Sequence, residues 1–182
     1  MNTSENDPMR PAPSTQNLHA PWRLAYLESL SDKPGAPAKA STGSFLRDYW
    51  LTPEHDQRNH VIVRTDHGMI LLNAYPYANG HLLVALGESR GRLMDYSASE
   101  RAALWALVDR ASELMERALN PHGINIGVNQ GRAAGAGIPQ HLHVHLVPRW
   151  EGDVNFMTTI ARLRVVPSSL DQMWERYRKS LS

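Results

Sequence analysis

The chain has 182 residues, of which 42% are hydrophobic and 20% charged, with nine histidines, no cysteine and a net charge of +1. That length suits one domain with a substantial core and a tail. Near-neutral charge gives no footprint for nucleic acid or an anionic membrane, the lack of cysteine excludes disulfide and thiol chemistry, and no stretch approaches the roughly 20 apolar residues that cross a bilayer.

In chain order, residues 1–17 are rich in Pro, Ser, Thr, Asn and charge and are expected to form a disordered tail. No basic start followed by an apolar run marks a signal peptide, so a cytoplasmic location is the expectation. Residues 18–57 read as an anchor segment and linker. Trp22, Leu24, Tyr26 and Leu27 concentrate apolar area suited to docking on a domain, and Ser31 to Gly43 is a Pro- and Gly-containing loop. Phe45 to Trp50 is expected to form a short helix ended by Pro53.

Residues 58–150 carry the main domain. Val61–Arg64 and Met69–Leu72 flank Thr65-Asp66-His67-Gly68 and predict a hairpin. His67 reads as a solvated turn residue, as do His19, His55, His60 and His122. Asn73 to Gly80 is an irregular connection, after which His81 opens a strand reaching Leu86. Ser97 and Glu100 have capping-box spacing, which predicts a helix over 98–119. Its apolar face is expected to comprise Leu104, Trp105, Leu107, Val108, Ala111, Leu114, Met115, Ala118 and Leu119. Asn120 to Gly123 ends it. Ile124–Val128 is the next strand, followed by a glycine-rich loop. In the extension, residues 151–182, Asp153 to Met157 reads as irregular, and Ser168 is expected to cap a final helix through Leu181 whose apolar side is Leu170, Met173, Trp174 and Tyr177. This order of elements predicts an α+β fold: an antiparallel sheet of about five strands, one long packed helix and a C-terminal helix.

The stretch from Gln140 to Trp150 alternates histidine with aliphatic residues until Pro148, which is expected to stop the strand. Period-two alternation places Leu142, Val144 and Leu146 toward a core and His141, His143 and His145 on the other face. A lone strand histidine is usually filler, but three in register followed by Pro-Arg-Trp point to chemistry. Metal binding is the sharp competitor, since imidazole is a common zinc ligand. Residues i and i+4 of a strand lie roughly 13 Å apart at their backbones, so one ion takes two of the row comfortably and not three.

His141-Leu142-His143-Val144-His145-Leu146-Val147 resembles the defining motif of the histidine triad (HIT) family, His-φ-His-φ-His-φ-φ, with every position filled. The segment Asn73 to Val84 is similar to the family's ribose-binding strand and turn, in which an Asn or Asp precedes a fourth histidine by eight residues. Asn129-Gln130-Gly131 matches its Asn-x-Gly element. The flanks Pro21-Trp22-Arg23-x-x-Tyr26 and Pro148 to Phe156 look most like the bacterial diadenosine tetraphosphate phosphorylase branch. Two departures stand out. Ile138 occupies the position where hydrolases and phosphoramidases of the family carry Ser or Thr, which puts plain hydrolysis in doubt. Ser44-Phe45-Leu46 stands where some relatives have a Cys-x-x-Cys zinc pair, so their zinc site is not expected. Neither metal nor cofactor is expected.

The resemblance implies a nucleotidyl transferase acting on dinucleoside polyphosphates through a covalent intermediate on His143. His145 would contact the phosphate and shuttle the leaving-group proton, with His141 and His81 orienting the other two. Asn73 would bind ribose hydroxyls. Asn129, Gln130, Gly131 and Gly137 would cradle phosphates, and Arg149 would touch the distal ones. The plainer readings are a turn-initiating asparagine, an ordinary glycine-rich turn and a surface arginine. Inorganic phosphate is the expected acceptor, with water as the alternative. Two rivals remain: a module that binds mononucleotides with little turnover, and a metal-binding protein using His81 and two triad members. The family also implies a homodimer.

Overall fold

The computed structural model describes residues 43–153 and 167–181. The expected tail, the Trp22 to Leu27 anchor and residues 154–157 lie outside the described residues. The elements are α1 (Phe45–Leu51), β1 (Val61–Arg64), β2 (Gly68–Leu72), β3 (Leu82–Leu86), α2 (Ala98–Leu119), β4 (Gly123–Val128), β5 (His143–Arg149) and α3 (Leu170–Lys179). The strands form one antiparallel sheet in the order β1-β2-β3-β5-β4, giving the expected α+β architecture. Among the described residues no helix is long and apolar enough to cross a membrane.

β1, β2, β3 and most of β5 are buried, whereas the edge strand β4 is largely exposed. Ile62, Ile70, Leu72, Leu82, Val84, Leu86, Val144 and Leu146 pack with α2 and α3. The opposite face, with Val61, Met69, Leu71, Leu83 and Ala85, packs with Leu46 of α1, Ile138, and the partly buried Phe45, Tyr49 and Trp50. The two-residue period of β5 therefore sends Val144 and Leu146 toward α2, and His143 and His145 toward α1.

Ser97 and Glu100 form the predicted capping box of α2, an arrangement worth about 1 kcal/mol. Asn120 ends the helix with φ +46° in the left-handed region. Trp105 is a correction: it is 44% exposed. The buried stripe runs through Leu104, Val108, Ala111 and Met115, and Trp105 sits about 100° round from it, next to exposed Asp109 at i+4.

Two further expectations are corrected at chain ends. α3 is capped by Ser169, whose Oγ accepts from Gln172 N–H at 3.2 Å, while Ser168 Oγ accepts instead from Asn79 Nδ2 at 3.2 Å. The serine that caps is the one whose Oγ lies within reach of the orphan amide three residues on. Pro148 does not stop β5, which continues to Arg149. The β3 pairing ends at Leu82 opposite Leu146, so beyond that point β5 pairs with β4 only and a missing N–H on the other side costs no ladder bond.

α3 packs on the same core as α2 through buried Met173 and Tyr177. Tyr177 Oη donates to Gly80 O at 2.7 Å, and Trp174 Nε1 donates to Val61 O at 2.9 Å. The C-terminal helix thus braces the turn that leads into His81. Gly80 has φ +84°, and a β-carbon there would run into Leu119 and Tyr177, so the turn requires glycine.

Candidate active site

Hydrogen bonds to backbone groups of fixed polarity assign the proton positions of four histidines. His143 Nδ1 lies 2.8 Å from His141 O, and a carbonyl only accepts, so Nδ1 carries the proton and Nε2 keeps its lone pair. His81 Nδ1 accepts from Tyr77 N–H at 3.1 Å and from Asn73 Nδ2 at 3.2 Å, which leaves the proton on Nε2. That Nε2–H donates to His145 Nδ1 at 3.0 Å, so in its neutral form His145 carries its own proton on Nε2. His141 donates from Nε2 to Leu86 O at 2.8 Å and accepts at Nδ1 from Ser44 Oγ at 2.8 Å.

The result is a lone pair on His143 beside an N–H donor on His145. Their rings sit edge to face with centroids 4.9 Å apart. Opposite them on β3 are Ala85, paired with His143, and Leu83, paired with His145. Tyr77 stacks on the His145 ring at 5.7 Å.

His143 and His145 both line a cavity of about 360 Å³ that Phe45 and Tyr49 of α1 also line. Asn73, Tyr75 and Tyr77 of the β2–β3 connection, Asn59 and His60 of the turn before β1, and Gly135, Gly137 and Ile138 of the glycine-rich loop complete it. A site with aromatic and aliphatic walls, one nucleophilic lone pair and one adjacent N–H donor is equipped to bind a flat apolar group and transfer an electrophile attached to it.

Burial pushes the His143 and His141 pKa values down from the ordinary 6.5, the main cause in each being the loss of water around the charged form. The backbone bonds to His141 O and Leu86 O oppose that only in part. His143 is therefore held as free base at neutral pH. A stability consequence follows from the same shift. Below pH 6.5 the unfolded chain takes up protons on these two rings that the folded chain refuses, so stability falls as pH drops through 6.5 toward the lowered folded values. Thermal unfolding measured from about pH 7.5 to about pH 5.5, above the range where carboxylates titrate, is expected to show Tm falling. A flat or rising Tm over that window contradicts the assignment of both rings as buried and neutral.

A family model described as the HIT domain matches residues 54–152. The chain is 36% identical over 156 residues to a protein of Mycobacterium tuberculosis named AP-4-A phosphorylase, spanning 85% of this chain and 78% of that one. The chain belongs to the HIT domain family. A Schizosaccharomyces pombe relative, named bis(5'-nucleosyl)-tetraphosphatase (asymmetrical), is 33% identical over 95 residues, 52% of each chain. Among solved structures, a zinc-bound histidine triad family protein from Mycobacterium smegmatis superposes with a TM-score of 0.60 at 25% identity, covering 74% of this chain and 91% of that one.

Of the residues singled out by the HIT motifs, the structure brings His143, His145, Asn73 and Gly137 to the cavity, with His81 directly behind His145. His141 is fully buried outside it, and its main-chain oxygen accepts from His143 Nδ1. Asn129, Gln130 and Gly131 are not cavity-lining residues: Gln130 Oε1 accepts from Leu93 N–H at 2.8 Å, and Gly131 O receives Ala134 and Ala136 N–H at 3.2 Å each. Arg149 lies at the far end of β5, six residues and roughly 20 Å along the strand from His143, where Asp153 holds it at 2.7 and 3.0 Å. Ile138 is 7% exposed and packs with Leu46 and Leu71 while facing the cavity.

Sequence reasoning gave no site role to several of these side chains, Phe45, Tyr49, Ser44 and His60 among them. Ser44 is the N-cap of α1, signalled by a serine directly before Phe45 to Leu51, and it is also the His141 partner. His60 read as a solvated turn residue, but it lines the cavity and binds Asp171.

Proposed function

We propose that this HIT protein is a nucleotidyl transferase that cleaves dinucleoside polyphosphates at an α-phosphate through His143, with inorganic phosphate as acceptor. The observation that carries the reading is the His143 Nε2 lone pair, held by Nδ1–H to His141 O and set beside the His145 Nε2–H donor. The Mycobacterium tuberculosis relative named AP-4-A phosphorylase supports the choice of substrate and acceptor.

His143 Nε2 attacks the α-phosphorus, a P–N bond forms, and the bond to the bridging oxygen breaks. For diadenosine tetraphosphate the leaving group is ATP, and AMP stays on the histidine. His145 Nε2–H donates to the phosphate oxygens where negative charge develops, and His81 keeps that proton on Nε2. An oxygen of inorganic phosphate then attacks the same phosphorus, the P–N bond breaks, and ADP leaves with His143 restored. Asn73 sits at the cavity wall where a ribose hydroxyl would be met. The Ile138 side chain offers no hydroxyl to hold an attacking water, which supports phosphate over hydrolysis.

Incubation with diadenosine tetraphosphate, with and without phosphate, tests the reading. ADP plus ATP formed only when phosphate is present is the expected outcome. AMP plus ATP in plain buffer makes the protein a hydrolase, and no cleavage in either makes it a binding module. The reading includes a homodimer in the cytoplasm. The edge strand β4, with Ile126 47% exposed, supports the dimer, and sedimentation at the mass of a single chain would refute it.

A further inference from the structure

His60 occupies a backbone position that favours glycine. Its φ is +52°, and the other non-glycine residue with positive φ among the described residues, Asn120, is a helix C-cap of ordinary type. The turn before β1 has the bonding of a Schellman motif: Val61 N–H donates to Asp56 O at 2.8 Å, and His60 N–H donates to Gln57 O at 3.1 Å. Its left-handed residue is usually Gly, sometimes Asn, because a β-carbon there crowds the following carbonyl. His is among the side chains enriched at positive φ, so the turn tolerates a histidine without explaining it.

The side chain does. His60 lines the same cavity as His143, His145 and Asn73, together with Phe45 and Tyr49. Its Nε2 lies 2.9 Å from Asp171 Oδ1 on α3. An ionised carboxylate only accepts, so Nε2 carries the proton, and Nδ1 of the neutral ring keeps a lone pair. Asp171 lies beyond residues 54–152, so the part of the chain that matches the HIT model does not supply this contact.

We infer that His60, oriented by Asp171, reads the nucleobase: Nδ1 accepts a hydrogen bond from the exocyclic amino group of a 6-aminopurine packed against Phe45 and Tyr49. A 6-oxopurine presents an oxygen lone pair to the same atom and is disfavoured. The C-terminal helix is then a specificity element as well as a brace. The inference rests on the dinucleoside polyphosphate reading for its substrate and names the base that reading leaves open.

His60→Gly is the informative variant, since glycine keeps the left-handed turn and removes only the imidazole. Its kcat/KM for diadenosine tetraphosphate is expected to fall about tenfold, with that for diguanosine tetraphosphate within about twofold of the unmodified protein. Dissociation constants for AMP and GMP are expected to converge in the same way. Asp171→Asn, at an exposed position, should lower the adenine-to-guanine ratio by a smaller factor, because its amide can favour the other tautomer. An unchanged ratio, or equal losses for both bases, overturns the inference. If the unmodified protein cleaves neither dinucleotide, the enzymatic reading fails, and the AMP-to-GMP binding ratio in His60→Gly still decides the role of His60.

Discussion

Replacing His143 with alanine is expected to lower kcat for diadenosine tetraphosphate by about ten-thousand-fold, or about 5 kcal/mol at ~1.36 kcal/mol per decade, while AMP binding stays within a few fold. The separation follows from the site's construction. The side chain contributes the lone pair, Nε2, that stands beside the His145 donor: His145 itself bears its proton on the corresponding nitrogen, and the His141 ring is locked between Ser44 and Leu86. The cavity walls, from Phe45 and Tyr49 to Asn73, do not depend on it. Folding should survive, because the ring makes one side-chain bond, to the His141 carbonyl, and small residues such as Ala85 already share its face. Steady-state kinetics and equilibrium AMP binding on the same preparation check both halves. Turnover within tenfold of the unmodified protein would remove His143 from the mechanism.

His81→Ala is expected to have the next largest effect, a loss of about a hundredfold in kcat. His81 is fully buried behind His145 and sets its tautomer by donating Nε2–H to Nδ1. Without that donor the His145 proton can move to Nδ1, which turns an Nε2 lone pair toward the phosphate and replaces attraction with repulsion. His81 in turn owes its own proton placement to Tyr77 N–H and Asn73 Nδ2, so the final direction of the His145 donor is set two hydrogen bonds away from it. The measurement is kcat beside circular dichroism and Tm, because the substitution also empties buried volume. A folded variant with kcat within about twofold of the unmodified protein would mean that the relay does not orient His145.

The parts of the fold with a strong local cause were legible in the sequence. Ser97 and Glu100 announce α2 because both halves of the capping box lie within four residues, and Val144 and Leu146 announce the inward face of β5 because alternation maps directly onto the pleat. Pro148 misled because its cost depends on which neighbour is missing: β5 has β3 beside it only as far as Leu146. Trp105 misled because three- and four-residue spacing defines a stripe but not its edge, and a large ring at the margin is left half in water.

The site was legible where the motif is contiguous and illegible where the contact is long-range. His143 and His145 are placed by strand alternation alone. Ser44 meets His141 across 97 residues and His60 meets Asp171 across 111, and no local pattern encodes either distance. Arg149 shows the converse: adjacency to the triad along the chain is separation in space, because each strand residue adds about 3.3 Å.

A covalent nucleotidyl group on His143 is detectable by peptide mass spectrometry of enzyme mixed with diadenosine tetraphosphate in phosphate-free buffer and quenched in base. The expected result is the mass of one adenylyl group on the peptide that contains His143, lost again when phosphate is added and absent from His143→Ala. Cleavage of substrate with no adduct at any quench time, or an adduct on another residue, would contradict it.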